Sequence, residues 1–235
     1  MYKKIIALIA LFQLFGCAEL QQVVDSLPQG NGEIGGPQIA EGLKQALDKG
    51  INTQVSKLTK EDGFLKNELV KITLPQELQK VDKTLRDVGL GNLADEGLKI
   101  LNRAAEDAVG EAIPIFTEAV KNITFTDAKN ILMGNQDAAT QYLQGNTSAA
   151  LYNKFNPIIQ NSFQKVGADK IWSNLINKYN SIPLTNNINP DLTDYVTNEA
   201  LDGVFTMIAV EEKEIRNKVS SRTTDVLRRV FAIQD

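Results

Sequence analysis

Apolar residues recur along most of this chain at the spacing of one helix face. Leu43, Ala46, Leu47, Ile51, Val55 and Leu58 fall three or four apart behind Pro37, a residue suited to a helix start. A second stripe follows Pro75 through Leu78, Val81, Leu85 and Val88 and closes at Gly89-Leu90-Gly91. A third, from about Leu93 to Ile123, carries Leu98, Leu101, Ala105, Ala108, Ala112 and Phe116, and Pro114 is expected to kink or split it. Its alanines make a thin face that lets another helix approach closely. Short helices are predicted from Thr126-Asp127 to Gly134 and over 136–143. Thr147 then reads as the cap of a helix with Leu151, Phe155, Ile158 and Val166, kinked near Pro157. Ile171, Trp172, Leu175, Tyr179 and Ile182 form another, ended before Pro183. Asn189-Pro190 opens a long helix through Leu192, Tyr195, Val196, Leu201, Val204, Phe205, Ile208 and Ile215. After Ser220-Ser221 a final helix carries Val226, Leu227, Val230 and Phe231.

Only Val70-Lys-Ile72-Thr-Leu74 alternates with period two. A single strand has no partner, so this stretch reads as an extended connector. The pattern therefore predicts an all-α fold: one irregular bundle of about nine helices, with kinked helices and short connectors. No fixed-period repeat points to a solenoid.

The first residues follow a different rule. Lys3-Lys4, an apolar run from Ile5 to Phe15 with Gln13 inside it, and Gly16-Cys17 have the layout of a secretory signal. The run is too short to span a bilayer as a mature helix. Leu14-Phe15-Gly16-Cys17 resembles the bacterial lipobox, in which the signal is cut before a cysteine that is then lipidated. Phe15 departs from the usual small or branched residue there. The organisation expected is a signal peptide over 1–16, lipidated Cys17 and a flexible tether over 17–37, and an all-helical domain over 38–235. In the tether, Gly30, Gly32, Gly35 and Gly36 with Pro28 and Pro37 leave no core face. Twenty such residues span roughly 25 Å end to end, enough to stand the body off a membrane. Asp25-Ser26-Leu27 is similar to the short O-glycan acceptor of some anaerobic Gram-negative lipoproteins, which makes Ser26 a glycosylation candidate.

Composition narrows the chemistry. Without Lys3 and Lys4, 23 basic side chains face 29 acidic ones, a balance opposed to nucleic-acid binding and to headgroup binding by charge alone. There is no histidine, which removes His-based triads, the HExxH zinc site and the Glu-x-x-His pairs of di-iron bundles. Cys17 is the only cysteine. With lipid on it, thiol catalysis, disulfides and cysteine-ligated metals go too. No GxxxxGK[ST] phosphate-binding loop is present. No cofactor is expected, and any metal would need oxygen ligands.

Charge interrupts the oily pattern twice. The stripe of the long helix steps from Ile208 to Ile215 across Glu211 and Glu212, so one of the two should face inward and need a donor or cation. Arg216, one turn beyond Glu212, suits a surface pair with it. In the alanine-rich helix, Asn102 and Glu106 share a face, and Arg103 and Asp107 share the next. An ionic cluster is expected to join Arg103 and Glu106 to Glu211 or Glu212. It would serve as a polar pocket, an oxygen-ligand cation site or an acid–base pair, or else as a structural network that fixes helix register. Phe116, Phe125, Tyr142, Phe155, Phe163, Trp172 and Phe205 would line an apolar pocket or, as is commoner at helical spacing, simply fill the core.

Several segments in order carry a resemblance. They are Gly91-Asn-Leu-Ala-Asp95, Leu101-Asn-Arg-Ala-Ala-Glu106, Ala112-Ile-Pro-Ile-Phe116, Thr126-Asp-Ala128 and Ala138-Ala-Thr-Gln-Tyr142 in the first half. Tyr195-Val-Thr197, Ala200-Leu-Asp-Gly-Val-Phe205, Glu211-Glu-Lys-Glu-Ile-Arg216 and Arg222-Thr-Thr224 follow. Over about residues 39–232 the chain resembles an uncharacterised bacterial family of secreted helical proteins catalogued as a domain of unknown function (the DUF-four-one-nine-seven family). The resemblance implies an all-helical, exported single domain and supplies no activity or catalytic residue.

The expectation is thus a lipid-anchored lipoprotein of the Gram-negative cell envelope. Ala18 resembles the default for outer-membrane sorting. The body would act as a non-catalytic module that binds an envelope protein partner, not nucleic acid. A carrier of a small apolar ligand is the alternative, and a carboxylate enzyme using a divalent cation the third reading.

Overall fold

The computed structural model describes residues 36–75, 78–79, 83, 86–87, 89, 91–168, 170, 177 and 191–232. The signal, Cys17, Ser26 and nearly all of the tether lie outside them, as do Trp172 and most of the helices expected after Pro75 and from Ile171. Seven α-helices run through the described residues, which hold no strand: α1 (Gly36–Leu58), α2 (Gly91–Val109), α3 (Ala112–Lys121), α4 (Phe125–Leu132), α5 (Ala138–Val166), α6 (Leu192–Asn217) and α7 (Asp225–Phe231). The fold is all-α, as the periodicity predicts, with a helix count close to that expected.

The core is built where the stripes face each other. Leu43, Ala46, Leu47, Ile51, Val55 and Leu58 of α1 are buried against α3, α4, α6 and α7. The alanine face of α2 is buried at Ala104, Ala105 and Ala108, and α2 packs closely on α5 as a thin face allows. α5 and α6 lie along one another and bring Leu151, Phe155, Val204 and Ile208 inward. Phe116 of α3 meets Phe205 of α6 edge to face, with ring centres 5.8 Å apart. Phe155 and Phe163 are also core, whereas Phe125 is half-exposed, so these aromatics fill the interior rather than line a chamber.

Proline and capping residues set the breaks. Pro114 has no N–H for the Gly110 carbonyl, and the expected long helix divides there into α2 and α3. Thr124 and Asp127 cap α4 reciprocally: the Thr124 hydroxyl accepts from the Asp127 N–H while the Asp127 carboxylate accepts from the Thr124 N–H. Two helices were expected between 136 and 166, and there is one. α5 continues through Thr147 and Pro157 for 29 residues and ends at left-handed Gly167. The Thr147 hydroxyl does not cap a terminus. It donates to the Leu143 carbonyl one turn back, at 2.7 Å, a bond that the helix interior tolerates. Residues 70–74 pair with no strand, yet Val70, Ile72 and Leu74 are buried. Gly203 of α6 lets this connector and Phe64 approach, since a Cβ there would lie 2.7 Å from the Phe64 ring.

Candidate functional site

Five of the six polar residues singled out by sequence fall into two separate clamps, each joining distant pieces of backbone; the sixth, Glu211, belongs to neither. The expected single cluster does not form: among the described residues, no hydrogen bond or ion pair links the Arg103–Glu106 group to Glu211, Glu212 or Arg216.

Asn102 and Glu106 belong to the first clamp, on the buried face of α2. Asn102 is fully buried and treats the connector as a strand neighbour would. Its Oδ1 accepts the Ile72 N–H at 2.9 Å, and its Nδ2 donates to the Ile72 carbonyl at 2.9 Å and the Leu98 carbonyl at 2.7 Å. A side-chain amide has one acceptor and one donor edge, which is what a lone extended peptide needs inside a core. One turn on, Glu106 Oε1 accepts the N–H groups of Phe64 at 3.0 Å and Leu65 at 3.4 Å. Its other oxygen pairs with Arg103. Arg103 reaches outward to Asp62 at 2.6 Å and Glu61 at 3.0 Å. Asp62 stands in the left-handed region, φ 67°, which Asp tolerates better than most side chains. Its hydrogen bond from Lys66, then that from Arg103, hold its carboxyl below the usual range. Burial opposes charge on Arg103, but Glu106 and Asp62 more than offset it and raise its pKa. Asp107, paired with Arg103 by spacing alone, instead accepts from Ser162 of α5 at 3.1 Å.

The second clamp is Glu212–Arg216. A surface pair was expected, and the structure corrects this: the two residues are 7 % and 5 % exposed. Glu212 lies against the first turn of α5, whose own N-cap residue, Asp137, makes no side-chain cap bond. Glu212 supplies the cap from another helix. It accepts the N–H groups of Ala139 and Thr140, each at 2.9 Å, and the Thr140 hydroxyl at 2.8 Å. Arg216 binds the same carboxylate through Nε at 2.9 Å and Nη2 at 2.7 Å. It then donates to the Ile131 carbonyl at 2.8 Å and the Leu132 carbonyl at 3.1 Å, at the end of α4. A carboxylate thus sits at one helix N-terminus and a guanidinium at another helix C-terminus, each at the favourable end of the dipole. One ion pair on α6 fixes how α4 turns into α5. Arg216 and Arg222 both lie 5.9 Å from the Phe231 ring centre, which ties α7 to the same place. Glu211, the outward neighbour, is half-buried and accepts from Gln54 of α1.

The inward glutamate was legible because it broke the α6 stripe. The partners of both clamps were not, because they lie 30 to 85 residues away in sequence. Sequence reasoning also missed a Tyr152–Asp194 bond of 2.6 Å between α5 and α6, which raises the Tyr152 pKa.

Between α3 and α5 runs an open groove of about 580 Å³, floored by Pro114, Ile115, Ala119, Ala150 and the half-buried ring of Tyr142. Glu111 and Glu118 rise on one wall and Lys154 on the other. By contrast, the gap inside the core between α1 and α6 measures about 20 Å³, room for a single water. Among the described residues, no group of three or more acidic or cysteine side chains is placed to hold a metal ion. No helix there is long and apolar enough to cross a membrane.

A family model described as a protein of unknown function, DUF4197, matches residues 33–232. No curated protein and no solved structure matches. The chain belongs to the DUF4197 family.

Proposed function

We propose that this DUF4197 protein is a lipid-anchored lipoprotein of the Gram-negative envelope that acts by binding another envelope component rather than by catalysis. In this reading residues 1–16 direct export and Cys17 carries the lipid. The tether spaces a single helical body over 38–235 from the outer membrane. The observation that carries the non-catalytic part is that the two best candidate carboxylates are buried and already engaged in holding backbone N–H groups and an arginine. Glu106 holds two backbone N–H groups and Arg103, and Glu212 holds two N–H groups, a hydroxyl and Arg216. A general acid or base must reach a substrate proton, and a cation ligand needs free lone pairs. Glu212 has neither to spare, and Glu106, buried with three of its acceptor sites filled, has little left for either, so the enzyme reading loses its leading residues. The carrier reading wants an enclosed chamber of several hundred cubic ångströms; the core gap holds about 20 Å³, and the α3–α5 groove of about 580 Å³ is large enough but open to solvent.

Expression of the whole chain in a Gram-negative host tests the proposal. Wild-type protein should fractionate with the outer membrane, and photocrosslinkers at exposed Leu69 or Met133 should capture one recurrent envelope protein. Cys17→Ala should abolish membrane partitioning. Unaltered partitioning of that variant would remove the anchor. An absence of protein crosslinks in intact cells would remove the partner.

A further inference from the structure

The short helix α7 sits in a notch on α1. The atoms nearest to a Cβ placed on Gly42, in the second turn of α1, all belong to α7: Val230 Cγ2 at 2.6 Å and Val226 Cγ1 at 2.7 Å. Glycine weakens a helix interior, so α1 loses helix stability at this position and gains close contact with α7. One residue beyond Val230, Phe231 closes the core gap beside Leu43 and Leu47, with the Arg216 and Arg222 guanidiniums each 5.9 Å from its ring centre. We propose that this seat on α1 is a docking surface for an amphipathic helix of a partner protein, and that α7 fills it in the free molecule as a releasable latch. The inference rests on the reading that the protein binds another envelope component, and it names the surface and the kind of segment that surface takes.

Three observations support release. First, α7 is held by little. It packs on α1 and has no comparable contact with another helix among the described residues, and its buried side chains are Leu227, Val230 and Phe231. Ordering seven residues opposes the burial of three side chains with a free energy of similar size. Second, a helix this short is marginal in water by itself, so α7 is helical while seated and melts when it leaves. Third, the body keeps its ties without it. The Glu212–Arg216 clamp joins α4, α5 and α6, and Arg222 caps the end of α6 through the Ile215 and Arg216 carbonyls. None of these bonds involves α7.

The resident helix also says what the seat accepts. Val226 and Val230, four apart, straddle the Gly42 notch, and Leu227 and Phe231 follow each by one residue. A partner helix would carry the same pattern: branched aliphatic residues at i, i+1 and i+4 and an aromatic ring at i+5. A partner helix of three or more turns holds more of its shape before docking. It loses less order on binding than α7 does and can displace it.

Hydrogen exchange read by mass spectrometry, on the full chain in mild detergent, tests release. The α7 amides should exchange at least about 100-fold faster than the buried amides of α1 and α6, because α7 opens while the rest stays folded. A fluorescent synthetic peptide with the sequence of residues 223–232 tests the seat. It should bind Val230→Glu, whose own α7 cannot bury the new carboxylate, at least about tenfold more tightly than wild type, where the tethered α7 competes at high local concentration. Adding Gly42→Leu, which fills the notch, should abolish that gain. Equal affinity for wild type and Val230→Glu would overturn the proposal, as would a gain that survives Gly42→Leu. So would α7 amides that exchange no faster than those of α1. A Val230→Glu chain that fails to fold would make α7 part of the core rather than a latch, and would overturn it too. The peptide assay contains no envelope partner. Its failure beside a recurrent protein crosslink at Leu69 or Met133 would strike this seat and leave the binding reading standing.

Discussion

Removing the Glu212 carboxylate should cost more than removing its partner Arg216. In Glu212→Ala, the N–H groups of Ala139 and Thr140 and the Thr140 hydroxyl lose their acceptor, and the Arg216 guanidinium stays buried with only the Ile131 and Leu132 carbonyls. Breaking a buried pair from one side costs about 3–5 kcal/mol, because a charge is left behind without its counter-charge. In Arg216→Met, the carboxylate keeps its three donors from α5 and the positive end of that helix, so about 2–3 kcal/mol is expected. The double variant removes both charges together. Its cost should fall below the sum of the singles by about 2 kcal/mol, the coupling expected of residues that share one network. Urea unfolding followed by circular dichroism reads these values. With a slope of about 2 kcal/mol per molar urea, Glu212→Ala should move the midpoint down by about 2 M. A shift under about 0.5 M, or costs that simply add, would refute the clamp.

Asn102→Ala should destabilise by about 2–4 kcal/mol, since both Ile72 backbone groups lose their buried partner, and amide exchange at Ile72 should become faster than global unfolding alone allows. Glycines in α1 and α5 should respond with opposite signs. Gly42→Ala drives a methyl to within 2.6 Å of Val230 and should cost about 1–3 kcal/mol, whereas Gly145→Ala meets open space and should gain about 1 kcal/mol in thermal melts. The α4 capping box predicts a pH dependence. Hydrogen bonds from the Thr124 side chain and backbone hold Asp127 below its ordinary value of 3.8. Its contribution is therefore complete above pH 3.8 and lost as pH falls through the lower folded value, so Asp127→Ala should flatten the acid limb of a stability profile below about pH 4.

Periodicity carried the fold a long way. The α1 and α6 stripes, the break near Pro114 and the terminal helix could be read from spacing, because each reports which face of a helix meets oil. Local capping chemistry misled at Thr147, where the same hydroxyl that would accept at an N-terminus donates to a carbonyl within a continuous helix. That one of Glu211 and Glu212 faces inward could be read because both interrupt a stripe, though which of them could not. Nor could the work of Glu212 as the cap of α5, because the N–H groups it satisfies belong to a helix 72 and 73 residues earlier. Asn102 gave still less sign: a polar residue beside an alanine face looks the same whether it meets water or holds Ile72. The candidate site was therefore half legible. Residue types and an inward glutamate could be inferred, but the burial of Arg216 and the division into two clamps depend on which helices become neighbours.

Native mass spectrometry with metal analysis, on the whole exported chain purified gently from an envelope, tests most directly whether the protein acts by binding a partner rather than by carrying or turning over a small molecule. The account predicts the mass of the acylated polypeptide, alone or with another protein, and no stoichiometric metabolite or cation. A bound lipid, metabolite or divalent ion at one per chain, retained on dilution, would contradict it.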